Sequence, residues 1–396
     1  MVINDEGRHK GISDMILTAL GAKGLQDIVE FQDGQYNVLD TEGFDWAPEM
    51  TNTFSCYQLT VTDSVATMPD LIDKASRGTS IGGRGFEGKR MDIPRFGRNF
   101  ALDEELIRSK FALYEELGYS MTGRLRDSIL EEMYTSVGKL MRGYNNVLTH
   151  MRDQIVSTGH MNFGNGFFPT SNLQHLNYDF GFTEMPANTG EKRWWTTDEH
   201  IPSKEGKQSD PLKDFQQIVR ENGNGRGWHF EINLSLWNDL KTHTKVLGMI
   251  GTVAYPTNAG SGDKMIDLGR AISVDEDTYR MWFERLIGAR VVTRDTMTSY
   301  ETVDTETRKP KTVTKDNFSL TNIAFRPDGR LGAIQASRPM LMSSVNSNLV
   351  AYAMDGRLQF LNTVDERSRT QIIDAELTAM VVPERADQMG YQTVTA

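Results

Sequence analysis

The side chains that could carry chemistry are few, and their spacing suits none of the familiar reactions. Seven histidines are present: His9, His150, His160, His175, His200, His229 and His243. None stands in a His-Glu-x-x-His or comparable ligand spacing. His150 and His160 flank the end of a helical stretch, where a solvated or hydrogen-bonded imidazole is the simpler reading than a metal pair. The single cysteine, Cys56, lies in a strand-like segment with no histidine nearby in sequence to act as its base. One cysteine also excludes an intrachain disulfide and a cysteine-rich zinc site. Gly82-Gly83-Arg84-Gly85 has the composition of a phosphate cradle. Such a cradle follows a strand and opens a helix, whereas Phe86-Glu87-Gly88-Lys89-Arg90 leads into extended chain. No Gly-x-Ser-x-Gly elbow occurs. Asp275-Glu276-Asp277 sits where a helix start favours negative charge. These residues predict no catalytic centre, no metal and no cofactor.

Contact chemistry is better represented. Lys89, Arg90, Arg95 and Arg98 fall within ten residues, close behind Arg84 on the glycine-rich stretch. The segment is too long to be a passive loop, so these cations are expected to meet an acidic patch on a neighbouring chain. Trp194-Trp195 stands in a charged loop, either as a local mini-core or as an interface anchor.

The elements that must position these groups follow from periodicity. Apolar residues at Leu125, Ile129, Met133, Val137, Leu140, Tyr144, Leu148, Met151 and Ile155 predict a helix over 121–157. Arg124, Asp127, Glu131, Lys139, Arg142 and Asn145 mark its polar face. At ~1.5 Å per residue such a rod is about 55 Å long. Gly138 and Gly143 weaken it by roughly 1 kcal/mol each against Ala, so packing must hold it straight, and Gly159 is its expected stop. Phe54–Thr62 and Met91–Phe96 read as extended pieces flanking a glycine-rich tip, a long protruding hairpin in which Pro94 forbids a central strand. The first 50 residues carry one short helical candidate, Ile12–Leu20, and otherwise read as an arm lying on something else. Asp210 and Pro211 suit the N-cap and first position of a helix. A strand at 228–233, helices at 234–243 and 275–286 and a strand at 289–294 follow, then an exposed Thr-rich hairpin over 298–316. Strands at 318–325, 332–336 and 372–382 complete an α+β chain without internal repeats.

Composition bounds the function classes. The 396 residues suffice for two or three compact units, and 38% apolar residues with 18 Phe, 12 Tyr and 6 Trp exclude global disorder. With 43 Lys+Arg against 54 Asp+Glu, the net charge of −11 argues against sequence-independent nucleic-acid binding through an overall basic surface. No stretch reaches 18 apolar residues, and the acidic opening Met1-Val2-Ile3-Asn4-Asp5-Glu6 lacks signal-peptide order. A soluble protein made in a reducing cytoplasm is expected, with no membrane partner.

The order of parts resembles the major capsid proteins of tailed bacteriophages, the Hong Kong 97-type fold, nearest in flavour to the lambda-like major capsid protein E group. The carrying residues are Met91-Asp92-Ile93-Pro94-Arg95-Phe96-Gly97 before the rod and Met151-Arg152-Asp153-Gln154-Ile155-Val156-Ser157-Thr158-Gly159-His160 at its end. They continue through Leu176-Asn177-Tyr178-Asp179-Phe180-Gly181, Trp194 or Trp195, Pro211-Leu212-Lys213-Asp214 and Ile232 to Leu240. His160 stands where the family often has Lys.

The resemblance implies an N-arm at 1–50, an E-loop hairpin at 51–110 and a P-domain at 111–209 with its spine helix at 121–157. An A-domain would follow at 210–345, and 346–396 would return to the P-domain. It implies a non-enzymatic shell protein that self-assembles into pentamers and hexamers, forming an icosahedral or prolate capsid around double-stranded DNA. An encapsulin-like compartment shell is the alternative within the same fold. Implied partners are further copies of itself, a portal protein, a separate scaffolding protein and decoration proteins. Packaged DNA would be enclosed without sequence-specific contact. The implied location is the virion, assembled in the host bacterial cytoplasm. The intersubunit contacts would include Arg84, Lys89, Arg90, Arg95, Arg98, Trp194 and Trp195.

Overall fold

In the computed structural model of the chain, the described residues are 24–36, 41–62, 85–102, 109, 121–163, 177–197, 202–222, 228–254, 275–303, 310–339, 350–365 and 370–395. The expected Ile12–Leu20 helix, Arg84, and His9, His175 and His200 lie outside them.

The first half of the chain runs α1 (Gly24–Tyr36), β1 (Phe44–Trp46), β2 (Ser55–Thr62), β3 (Gly85–Asp92), β4 (Arg95–Leu102), α2 (Met121–Thr158), β5 (His160–Asn162), β6 (Asn177–Asp179) and β7 (Thr183–Glu184). Next come α3 (Pro211–Asn222), β8 (Trp228–Asn233), α4 (Leu234–Leu240), α5 (Thr244–Ala254), α6 (Glu276–Ile287), β9 (Arg290–Arg294), β10 (Met297–Val303) and β11 (Pro310–Asp316). The chain ends with β12 (Asn322–Pro327), β13 (Gly332–Ala336), β14 (Val350–Ala353), β15 (Leu358–Asp365), β16 (Thr370–Pro383) and β17 (Gly390–Thr393).

Two cores form around two sheets. The first sheet has the order β1-β13-β16-β15-β14, with β4 added along β16. Strand β16 is 14 residues long, which lets it pair with β15 and β4 over its first part and with β13 over its last. Against this sheet lies α2. Its residues Met133, Val137, Leu140, Tyr144, Leu148, Met151 and Ile155 are all buried, the stripe expected of a helix with one face on a sheet. Glu131, Lys139 and Arg142 are exposed as the polar face requires, but Asn145 is buried. Near its C-terminus α2 passes between the two cores, and burial there extends around the whole helix, taking in Arg152, Asp153 and Ser157. The helix ends at Gly159, whose φ of +70° places it in the left-handed region open to glycine. A Cβ there would sit 3.0 Å from Phe182 Cβ, so the stop is fixed by packing as well as by backbone geometry.

The second sheet has the order β7-β17-β12-β8-β9. It is covered by α3, α4 and α6 through Phe215, Ile218, Trp237, Leu240, Tyr279 and Phe283. Helix starts are capped at Asp210 and Asp275, where start signals were expected, and also at Asn233, where none was read. Asp210 accepts from Lys213 N at 3.4 Å ahead of Pro211, Asn233 caps α4 by accepting from Ser235 N at 2.8 Å, and Asp275 caps α6 through Thr278 N at 3.2 Å. Strands β7 and β17 come from outside residues 210–345, and β13, inside that span, belongs to the first sheet.

The long hairpin is present as eight β2–β3 pairs, from Ser55↔Asp92 to Thr62↔Gly85. Pro94 stands between β3 and β4, and β4 joins the first sheet. Arg95 and Arg98 therefore lie on that sheet and not on the hairpin, where the sequence reading put them. The Thr-rich hairpin is β10–β11. The arm-like reading of residues 1–50 misses α1, whose Leu25, Ile28 and Val29 are buried in the first core. Gly24 and Gly34 fall at its first residue and in its last turn. Helix α5 and strands β14, β15 and β17 also lack a signal in the sequence reading, being short or weakly patterned.

Candidate functional site

The arrangement nearest to a catalytic triad is Ser209, His243 and Glu205. Ser209 Oγ lies 3.0 Å from His243 Nε2, and Glu205 Oε2 lies 3.9 Å from the same nitrogen. In a working triad the acid holds the opposite ring nitrogen. Here His243 Nδ1 has no hydrogen-bond partner among the described residues. The Ser209 hydroxyl donates to Gly206 O at 2.6 Å and is buried, so Nε2–H donates to Ser209 Oγ and no base faces the serine. Burial, against the pull of Glu205, lowers the His243 pKa. The group is a structural brace under the 202–210 turn. Burial also pushes the Cys56 thiol up to about 11, which makes it a poor nucleophile. Among the described residues no cluster of three His, Cys, Asp or Glu could hold a metal ion.

The surface expected to make contacts is built around the hairpin base and β4. Cys56 and Met91 face inward and dock the hairpin base on the first core. Gln58 Nε2 donates to Phe180 O at 3.2 Å, and the Tyr178 hydroxyl accepts from Asp92 N at 3.3 Å and donates to Asp92 O at 3.1 Å. By strand alternation Tyr57 then points outward, 59% exposed and paired across the ladder with exposed Arg90. Phe54, next to the hairpin, is 61% exposed. Lys89 Nζ donates to Asp179 O at 2.6 Å and so ties the hairpin to β6. Arg95 pairs with Glu376 of β16, within its own sheet. Arg98 is exposed, and its backbone N–H donates to the Tyr144 hydroxyl at 3.0 Å. Phe54, Arg95, Arg98, Arg338, Asp374 and Glu376 line a groove of about 770 Å³. Asp374 and Glu376 alternate along β16 with Ile373, Ala375 and Leu377, which face the core, so the groove lies on the sheet face away from α2.

Trp194 and Trp195 are both fully buried in the second core, so the structure takes the mini-core alternative for this pair. Trp194 Nε1 donates to Asp214 Oδ2 at 2.7 Å, and Trp195 meets His243 edge-on at 5.8 Å. Their order inside the chain leaves them no face for a neighbour.

Sequence reasoning missed the group that joins the two cores. Glu231 on β8, fully buried, receives both terminal nitrogens of Arg152 at 2.5 Å and the Nε of Arg294 at 3.1 Å, and it pairs with Arg326 as well. Arg152 also holds Asp153 at 2.8 Å, and Asp153 accepts from the Thr296 hydroxyl. Glu42, half-exposed, bridges Arg294 at 2.6 Å and Arg326 at 2.8 Å, and its carbonyl accepts from Arg152 at 3.3 Å. Burial works against the Glu231 carboxylate, but the guanidinium groups led by Arg152 overcome it and hold its pKa well below the usual range. Three cations and three carboxylates balance, the condition for burying so much charge. The network joins α2, β8, β9, β12 and the segment before β1 into one piece.

Neither a family model nor a curated protein sequence matches the chain. Solved structures similar to it include a prophage capsid protein of Escherichia coli CFT073, 10% identical, covering 95% of this chain and 99% of that one at a TM-score of 0.48. A phage-related protein of Bordetella bronchiseptica RB50 is 12% identical, with 93% and 96% covered and a TM-score of 0.45. The procapsid of satellite phage P4 is 9% identical, with 92% and 98% covered and a TM-score of 0.40.

Proposed function

We propose that this chain is the building block of a closed protein shell, a major capsid protein of the tailed-bacteriophage kind. The observation that carries the reading is the outward face of the hairpin base. Phe54 and Tyr57, 61% and 59% exposed, stand with Arg90 and Arg95 on elements fastened to the first core. Phe54 at the rim of a groove lined by Arg95, Asp374 and Glu376, with Tyr57 and Arg90 paired on the hairpin beside it, makes a surface that a neighbour of the same kind can cover.

In this reading the β2–β3 hairpin reaches across to the next subunit and α2 acts as the spine, while α1, β1 and β4 belong to the first core of their own chain. The second core surrounds the capsomer centre. Copies arranged head to tail close into pentamers and hexamers through heterologous contacts. The net charge of −11 suits a wall that encloses DNA without gripping it. A scaffolding protein, a portal and decoration proteins complete the particle, which is the virion shell assembled in the host cytoplasm.

The test is electron microscopy and sedimentation of the purified chain, alone and with the scaffolding protein from its own gene neighbourhood. Rings and closed shells are expected. Monodisperse monomers under all ionic conditions would overturn the proposal.

A further inference from the structure

Strand β14 ends the first sheet and pairs only with β15 among the described strands. Its outer edge is a row of backbone N–H and C=O groups, the kind of edge to which another strand adds readily. Helix α1 lies along that edge. The Gln26 side chain accepts from Tyr352 N at 2.9 Å and donates to Tyr352 O at 3.2 Å, the two bonds a neighbouring strand would make. Gln26 Nε2 also donates to Glu30 Oε1 at 2.8 Å, which orients the amide. Asp33 accepts from Met354 N at 3.3 Å. Gln26 and Asp33 are two helical turns apart and share one face, while Tyr352 lies on the edge of β14 and Met354 one residue past its end. Met354 opens a turn in which Met354 and Asp355, with φ of 51° and 55°, take the left-handed conformation ahead of Gly356. Asp33 thus also holds the first amide of a strained corner.

We propose that α1 is a guard on this edge: Gln26 and Asp33 occupy the outward hydrogen-bonding groups of Tyr352 in β14 and of Met354 just past it, so that no strand from a second copy adds there. The apolar contacts of Leu25, Ile28 and Val29 keep the helix in place, and the two polar side chains do the blocking. The guard confines self-association to other surfaces of the chain. The inference stands whether or not the chain builds a shell, because it concerns only the pairing capacity of β14.

The test is the full chain carrying Gln26→Leu and Asp33→Leu, which keeps helix propensity and removes the polar contacts. Amide hydrogen exchange at Tyr352 and Met354 should accelerate at least tenfold. Ala351 and Ala353, which face β15 by alternation, should keep their protection. The variant should associate with rising concentration and bind a cross-β dye, and adding Tyr352→Pro, which removes the edge donor, should abolish that association. Three results would overturn the proposal: no association, association that Tyr352→Pro leaves intact, or loss of protection at all four residues together. The last would mark α1 as a packing element only.

Discussion

Arg152 and Glu231 meet as a bidentate pair, both contacts at 2.5 Å and neither side chain exposed to solvent. One residue belongs to the long helix of the first core and the other to a strand of the second. The angle between the cores is therefore set by a directional contact and not by apolar packing alone. Replacing Glu231 by Gln leaves Arg152, Arg294 and Arg326 short of one negative charge in a buried place. The expected loss is ~3–5 kcal/mol, measured by urea unfolding at neutral pH. Glu42→Gln, at the half-exposed end of the same network, should cost only about 1 kcal/mol. Equal effects at the two positions would show that the network is not centred on Glu231.

Acid should weaken the fold before the carboxylates titrate. Burial pushes the His150 pKa down to about 4 from the ordinary 6.5, so the folded chain keeps this imidazole neutral while the unfolded chain takes up a proton. The stability is complete above pH 6.5 and drains away as the pH falls towards 4. Between pH 7 and pH 5 the loss from this residue is about 2 kcal/mol. His150→Gln should flatten the stability profile over that interval by a similar amount. A profile unchanged by the substitution would contradict the assignment.

The Tyr144 hydroxyl accepts from Arg98 N and donates to Ala375 O, so it bridges β4 and β16 from the long helix. Tyr144→Phe keeps the ring and strands both backbone groups. A loss of ~1–3 kcal/mol is expected, with faster amide exchange at Arg98. A cost below 0.5 kcal/mol, on the order of an ordinary surface change, would mean that the ladder closes without the hydroxyl.

The sequence carried much of this architecture and little of its junction. The α2 stripe from Met133 to Ile155 and the caps at Asp210 and Asp275 were legible because each depends on residues within one or two turns. The hairpin was legible because its strands flank a glycine-rich tip. Arg152 and Asp153 were not legible, because a charged pair on a helix has the same local pattern whether it faces water or a buried Glu231, and that partner is 79 residues from Arg152. Trp194 and Trp195 posed the same difficulty: spacing cannot tell an aromatic pair under a loop from one on top of it. The contact surface was half legible. Its cations were visible, while the partners of Lys89 and Arg95 within the chain and the exposure of Phe54 and Tyr57 depend on how the hairpin base docks.

The central claim is that the outward face of the hairpin base joins copies of this chain. The most direct measurement compares the wild-type chain with Phe54→Ser/Tyr57→Ser under assembly conditions, by sedimentation velocity and electron microscopy, with unfolding curves recorded alongside. Both side chains are more than half exposed, so the variant's unfolding free energy should stay within ~0.5 kcal/mol of wild type. Wild type should form rings and closed shells, and the variant should remain dissociated. Shells of normal yield from the variant, or a wild-type chain that stays monomeric, would contradict the account.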